Sequence, residues 1–202
     1  MSFQWIFDYA ESLAIDTKPL VAATQSLDGT YRSTTLNAAP WQFTVKVPDG
    51  IRWSELRQEI STAQALGRST AATVLLSNAG YTSWLNAYQG NCANPAAVTA
   101  SWTTGNTITL TGGQAASGFN FRAGDILQLG SASAYQVAAD VPYNSNTVTL
   151  NRPLLATAGS ATLKIGPAVT WSVRCRTFPD WTIFARDQVS WSGPFVFVEA
   201  LV

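Results

Sequence analysis

The chain has 202 residues, with 12 Lys and Arg against 12 Asp and Glu and no His. Zero formal charge leaves no basic excess to replace the counterions of nucleic acid. The missing His removes Ser–His and Cys–His nucleophile pairs and the commonest nitrogen ligand of transition metals. Charged residues make up 12% of the chain, about half the roughly 25% of an ordinary globular protein, so 18 Ser and 23 Thr must supply much of the polar surface. Such a surface repels itself weakly and is compatible with packing against protein neighbours.

Met1 leads into Ser-Phe-Gln-Trp without the basic segment and apolar run of a secretory signal. No apolar stretch approaches the ~20 residues of a membrane span, so synthesis in the cytosol and no membrane partner are expected. Phe3, Trp5 and Phe7 recur at period two, which predicts a short strand with three rings on one face. Asp28-Gly29 signals a turn. Thr30 to Leu36 and Trp41 to Val47 are β-prone and separated by Asn37 to Pro40, a hairpin-like arrangement. In the second run Trp41, Phe43, Val45 and Val47 alternate with polar residues, giving one apolar face.

After Pro48-Asp49-Gly50 the period changes. Trp53, Leu56, Ile60, Ala63 and Leu66 follow three-and-four spacing, which predicts an amphipathic helix over about 53–66, ended by Gly67 in a left-handed conformation. A strand is expected at Ala72 to Leu76, and Tyr81 to Tyr88 reads as either a short helix or a loop.

Between Ala93 and Ala168 only Arg122, Asp125, Asp140, Arg152 and Lys164 are charged. Six short β-prone runs lie there, each bounded by turn residues: Val98 to Trp102, Thr107 to Thr111, Asp125 to Leu129, Ala134 to Ala138, Thr147 to Leu150 and Thr162 to Ile165. That spacing suits a small antiparallel barrel. From Val169 onward the aromatic-rich texture of the opening third returns. The expected fold is therefore mainly β with one helix. A β-sandwich-like domain is built from both chain ends, residues 1–92 plus 169–202, with a small barrel of residues 93–168 inserted between them.

Motifs with chemistry are few. Gly112-Gly113 and Gly118 lack the Lys-Ser/Thr of a phosphate-binding loop and read as a turn. Glu55 and Glu59 share a helix face, where two close carboxylates can shift each other's pKa, but with Arg52 one turn away a solvated face is expected. Cys92 and Cys175 lack paired-ligand spacing and read as reduced and buried. Trp41, Trp53 and Trp171 are in phase with other apolar residues and belong to a core, whereas Trp84, Trp102 and Trp181 lie near turns and could face a partner.

Three segments carry a resemblance. They are Ser26 to Arg32 leading to Trp41 to Pro48 and the helix after it; Phe121 to Gly130 with Ala134 to Asp140 and Thr147 to Pro153; and Gly193 to Leu201. Together they resemble the distal tail proteins of long-tailed siphophages, structural proteins of the tail tip or baseplate. The resemblance implies a ring-forming β-rich domain, an inserted OB-like barrel, and a hexameric ring joining the tail tube protein to the tip or baseplate hub protein. Genome DNA would pass through its lumen without specific binding. It implies no catalytic residue, no metal and no cofactor, and a place in the virion tail after assembly in the host cytoplasm.

A ring subunit needs two different complementary surfaces. The runs containing Phe3, Trp5 and Phe7 and containing Phe195 and Phe197 are candidates to add strands to a neighbouring copy, with pairing inside the chain as the alternative. A second reading makes the barrel a carbohydrate-binding module, with Trp102, Phe119, Phe121 and Tyr135 on one concave face. A third, a glycan hydrolase, needs two carboxylates about 5–9.5 Å apart, and so acid-poor a chain favours it least.

Overall fold

The computed structural model describes residues 3–17, 20–25, 31–36, 40–67, 69–76, 86–131, 133–184 and 186–201. The protein is mainly β. Five strands form one antiparallel sheet in the order β1 (Ser12–Thr17), β4 (Trp41–Lys46), β18 (Phe195–Glu199), β15 (Thr170–Thr177) and β6 (Ala72–Leu75). Alternation in β4 turns Trp41, Phe43 and Val45 inward, and β18 answers with Phe195 and Phe197 at matched register, Phe197 opposite Phe43. Trp171 on β15 meets Trp41 and Phe43 edge-on, at ring-centroid distances of 5.2 and 5.1 Å.

Two helices cover this core. In α2 (Trp53–Leu66) Leu56, Ile60 and Ala63 are buried, the stripe that the spacing predicts. Gly67 ends the helix with φ 61° and ψ −163°, not the left-handed helical pair expected, but a region that only glycine enters freely. The other helix corrects the sequence reading. Phe3, Trp5 and Phe7 do not lie on a strand; α1 (Gln4–Asp8) is helical. Phe3, Ile6, Phe7 and Ala10 also recur at i, i+3, i+4 and i+7, all four are buried, and a helix satisfies that longer pattern.

The expected hairpin is also re-paired. β4 joins β1 and β18, whereas β3 (Tyr31–Leu36) pairs with β2 (Leu20–Gln25). The inward face of β4 needs apolar neighbours on both sides, and the Arg-Ser-Thr-Thr centre of β3 has none to offer. Asp28, Gly29 and residues 37–39 lie outside the described residues, as do Trp84 and most of the Tyr81 to Tyr88 segment. A smaller sheet of β16 (Trp181–Phe184), β17 (Gln188–Trp191) and β5 (Ile51–Arg52) sits at the start of α2.

The remaining strands form a six-stranded antiparallel sheet in the order β11 (Ala134–Gln136), β10 (Ile126–Leu129), β14 (Gly159–Ile165), β7 (Thr99–Trp102), β8 (Thr107–Thr111) and β13 (Thr147–Thr149). Its outer strands meet through an antiparallel bridge between Val137 and Leu150, so the sheet curls around a second core that includes Ile108, Leu110, Leu127, Val148 and Leu163. All six predicted runs are strands, each within a few residues. Two pieces escaped prediction, β9 (Phe119–Phe121) and β12 (Val141–Pro142), which pair with each other; at three and two residues they carry no readable period. The Gly112-Gly113 segment is a turn with φ 70° and 64°. A Cβ on Gly113 would lie 2.9 Å from Val98 Cγ2, so close packing excludes other residues there.

The two cores are joined by a buried ion pair. Arg152, just after β13, grips Glu199 at the end of β18 with both terminal nitrogens, at 2.8 and 2.9 Å, and each side chain is 2% exposed. Arg152 also donates to the Ala134 carbonyl at 2.7 Å, and Glu199 accepts the Trp41 main-chain N–H at 3.2 Å. Replacing Arg152 with Met should therefore cost about 3–5 kcal/mol, because the carboxylate stays buried without its partner. Urea unfolding checks this, and the double replacement Arg152→Met with Glu199→Leu should cost less than the two single changes summed.

Candidate subunit interface

The five aromatic residues proposed to bridge subunits do come together, but inside one chain. Phe3 and Phe7 lie 5.1 Å from the Phe197 ring, and Trp5 lies 5.8 Å from Phe195. All five are buried, and β18 is hydrogen-bonded on one edge to β4 and on the other to β15. No main-chain edge of β18 is left for a neighbouring copy. The reading of Phe3, Trp5, Phe7, Phe195 and Phe197 as an interface is corrected: they are core.

The proposed barrel platform is corrected as well. Phe121 and Tyr135 are fully buried in the second core, and only Trp102 and Phe119 reach the surface in part. The Trp102 indole N–H donates to the Thr157 carbonyl at 2.7 Å, while Arg122 stacks over Phe119 at 3.7 Å. The four rings therefore do not share one exposed concave face, as that reading needs. Glu55 is exposed and Glu59 half-buried, the solvated face expected. Cys92 and Cys175 are buried and joined in no disulfide.

Unpaired strand edges lie elsewhere. The β16–β17 hairpin is fastened to α2 by Asp187, whose carbonyl accepts the Trp53 N–H at 2.7 Å and whose carboxylate accepts the Ser54 N–H at 3.3 Å. A negative side chain there also suits the positive end of the helix dipole. Trp53 and Trp181 stack at 4.6 Å with ring planes 22° apart. Beyond this anchor, the outer edge of β16 pairs with no other described strand. Ile183 is 50% and Phe184 44% exposed, two of the five large apolar side chains exposed among the described residues, on a strand of four. Trp181 was singled out from the sequence; Ile183 and Phe184 were not, because an apolar run does not reveal which side stays open.

One edge of the main sheet, that of β6, is treated differently. At β6 the Gln4 side-chain amide donates to the Leu75 carbonyl and accepts the Leu75 N–H, both at 2.8 Å. The amide imitates a paired residue and closes that edge to further strands. The β2–β3 ladder, six residues long, pairs with no other described strand. Its length is about 20 Å at the usual rise per residue. No helix among the described residues is long and apolar enough to cross a membrane.

At the end of the barrel Asp140 accepts the Ala123 N–H and the Arg122 guanidinium, each at 2.8–2.9 Å, and these two hold its carboxyl below the ordinary value of 3.8, the amide most strongly. The lowered pKa means that the contact is complete above 3.8 and is lost as pH falls through the folded-state value. A carboxyl-carbon NMR titration should place the Asp140 midpoint below 3.8. Arg122→Ala should raise it only partway, since the Ala123 amide remains. No protein-family model and no curated protein matches the chain.

Proposed function

We propose that the protein is a structural component of a phage tail, a subunit of a ring of six copies that joins the tail tube to the tip or baseplate complex and lets DNA pass. The observation that carries this reading is the pair of unlike strand surfaces on one subunit. One is the β2–β3 arm, bonded only to itself among the described strands; the other is the apolar, one-sided edge of β16. A ring closes through two different complementary surfaces, and added strands provide main-chain hydrogen bonds across such a contact.

The other attributes come from the resemblance: the number six, the tube and hub neighbours, and the OB-like character of the inserted barrel, although this barrel has six strands where an OB-fold has five. Zero formal charge accords with a lumen that does not hold DNA by counterion release. The role is geometric and needs no cofactor.

Light scattering on the purified chain over a micromolar concentration series tests the reading. The expected result is a mass near six subunits that drops to one when residues 20–36 are replaced by a short Gly-Ser turn, with the thermal midpoint retained. A single-chain mass at every concentration overturns the self-assembling ring.

A further inference from the structure

A cleft of about 320 Å³ opens where the five-stranded sheet meets the barrel. Its polar lining is Thr73, Ser131, Ser133, Lys164, Ser172 and Glu199, with Thr170 and Gln128 beside Lys164. The charges there are unequal. Glu199 contributes none that is free, since both carboxylate oxygens are taken by Arg152 and one also by the Trp41 N–H. Lys164 forms no ion pair among the described residues.

Its one hydrogen bond runs to Thr170 Oγ1 at 3.4 Å. That hydroxyl spends its own proton on Gln128 Oε1, at 3.1 Å, so it serves Lys164 only as an acceptor. An ammonium has three donors, which leaves two uncommitted. The second observation is independent. Ser133 is 5% exposed, its hydroxyl is fully buried, and it has no hydrogen-bond partner, although it lines the same cleft. Thus an unpaired cation and an unpaired buried hydroxyl share one cleft, rimmed by further hydroxyls.

We infer that this cleft is a binding site for a phosphate-sized oxyanion, free or carried on an ester. Lys164 supplies the charge and Ser133 a buried donor, while Thr73, Ser131 and Ser172 are further hydroxyls of the lining beside Thr170. An oxyanion is favoured over a neutral polyol because a charge-assisted bond to an ammonium is about twice as strong as a neutral one. The site does not depend on ring formation, so its test and that of the ring are separate.

The thermal midpoint of the purified wild-type chain is followed at pH 7 against inorganic phosphate, and in a second arm against methyl phosphate, with chloride adjusted to constant ionic strength. A ligand that binds only the folded state raises the midpoint in a saturable way. A rise with both ligands supports a site open to esters, and a rise with inorganic phosphate alone supports a closed, free-ion site. Lys164→Gln should weaken binding about tenfold and Ser133→Ala by less, while Lys46→Gln, which removes an exposed lysine on β4, should leave it unchanged. Amide NMR on the wild-type chain should centre the shifts on Ser133, Thr170 and Ala200. No rise with either ligand, a rise undiminished in Lys164→Gln, or shifts centred elsewhere overturns the site.

Discussion

Arg152, just after β13, and Glu199, at the end of β18, are 47 residues apart in sequence, yet each satisfies a charge that would otherwise stand unpaired in a dry interior. A buried ion pair adds little net stability over a well-packed apolar pair. What it adds is geometry, since a planar guanidinium meets a carboxylate through two parallel hydrogen bonds in one orientation. The Trp41 amide and the Ala134 carbonyl complete that cluster, and the Trp41 indole donates to Ala134 as well. Main-chain groups from β4 and β11 are therefore drawn into the same contact. That cluster fixes one point of the contact between barrel and sheet.

A second set of contacts runs parallel to it. Gln128 on β10 accepts both the main-chain N–H and the hydroxyl of Thr170, at the start of β15. Ile126 and Ala134, although on barrel strands, pack into the core of the terminal sheet. Between the charged and the amide contacts the surfaces diverge and leave the cleft that holds Lys164. The cleft thus lies where two curved sheets are joined at two points, and residues of both line it.

Strand edges are handled according to position. The β6 edge, close to the aromatic core, is closed by the Gln4 amide, whereas β16 is held firmly by the Asp187 contacts to α2 and left open on its outer side. An exposed apolar edge is a hazard for a monomer, because it templates pairing with any similar strand. In a subunit that meets copies of itself, the same edge is a place of attachment.

Much of the fold was legible in the residues. Three-and-four spacing located α2, period-two alternation located β4, and the barrel strands stood out as short runs between turn residues, because these patterns reflect a single element facing water on one side. The α1 segment misleads, since its rings at odd positions mimic alternation while Ile6 and Ala10 complete a helical period. Pairing was the larger gap. Nothing local tells β4 to pass over β3 and join β1 and β18, or tells Phe121 and Tyr135 to turn inward. Those choices belong to contacts between distant residues, where burying apolar faces together and satisfying Arg152 and Glu199 are decided only when the whole chain has closed.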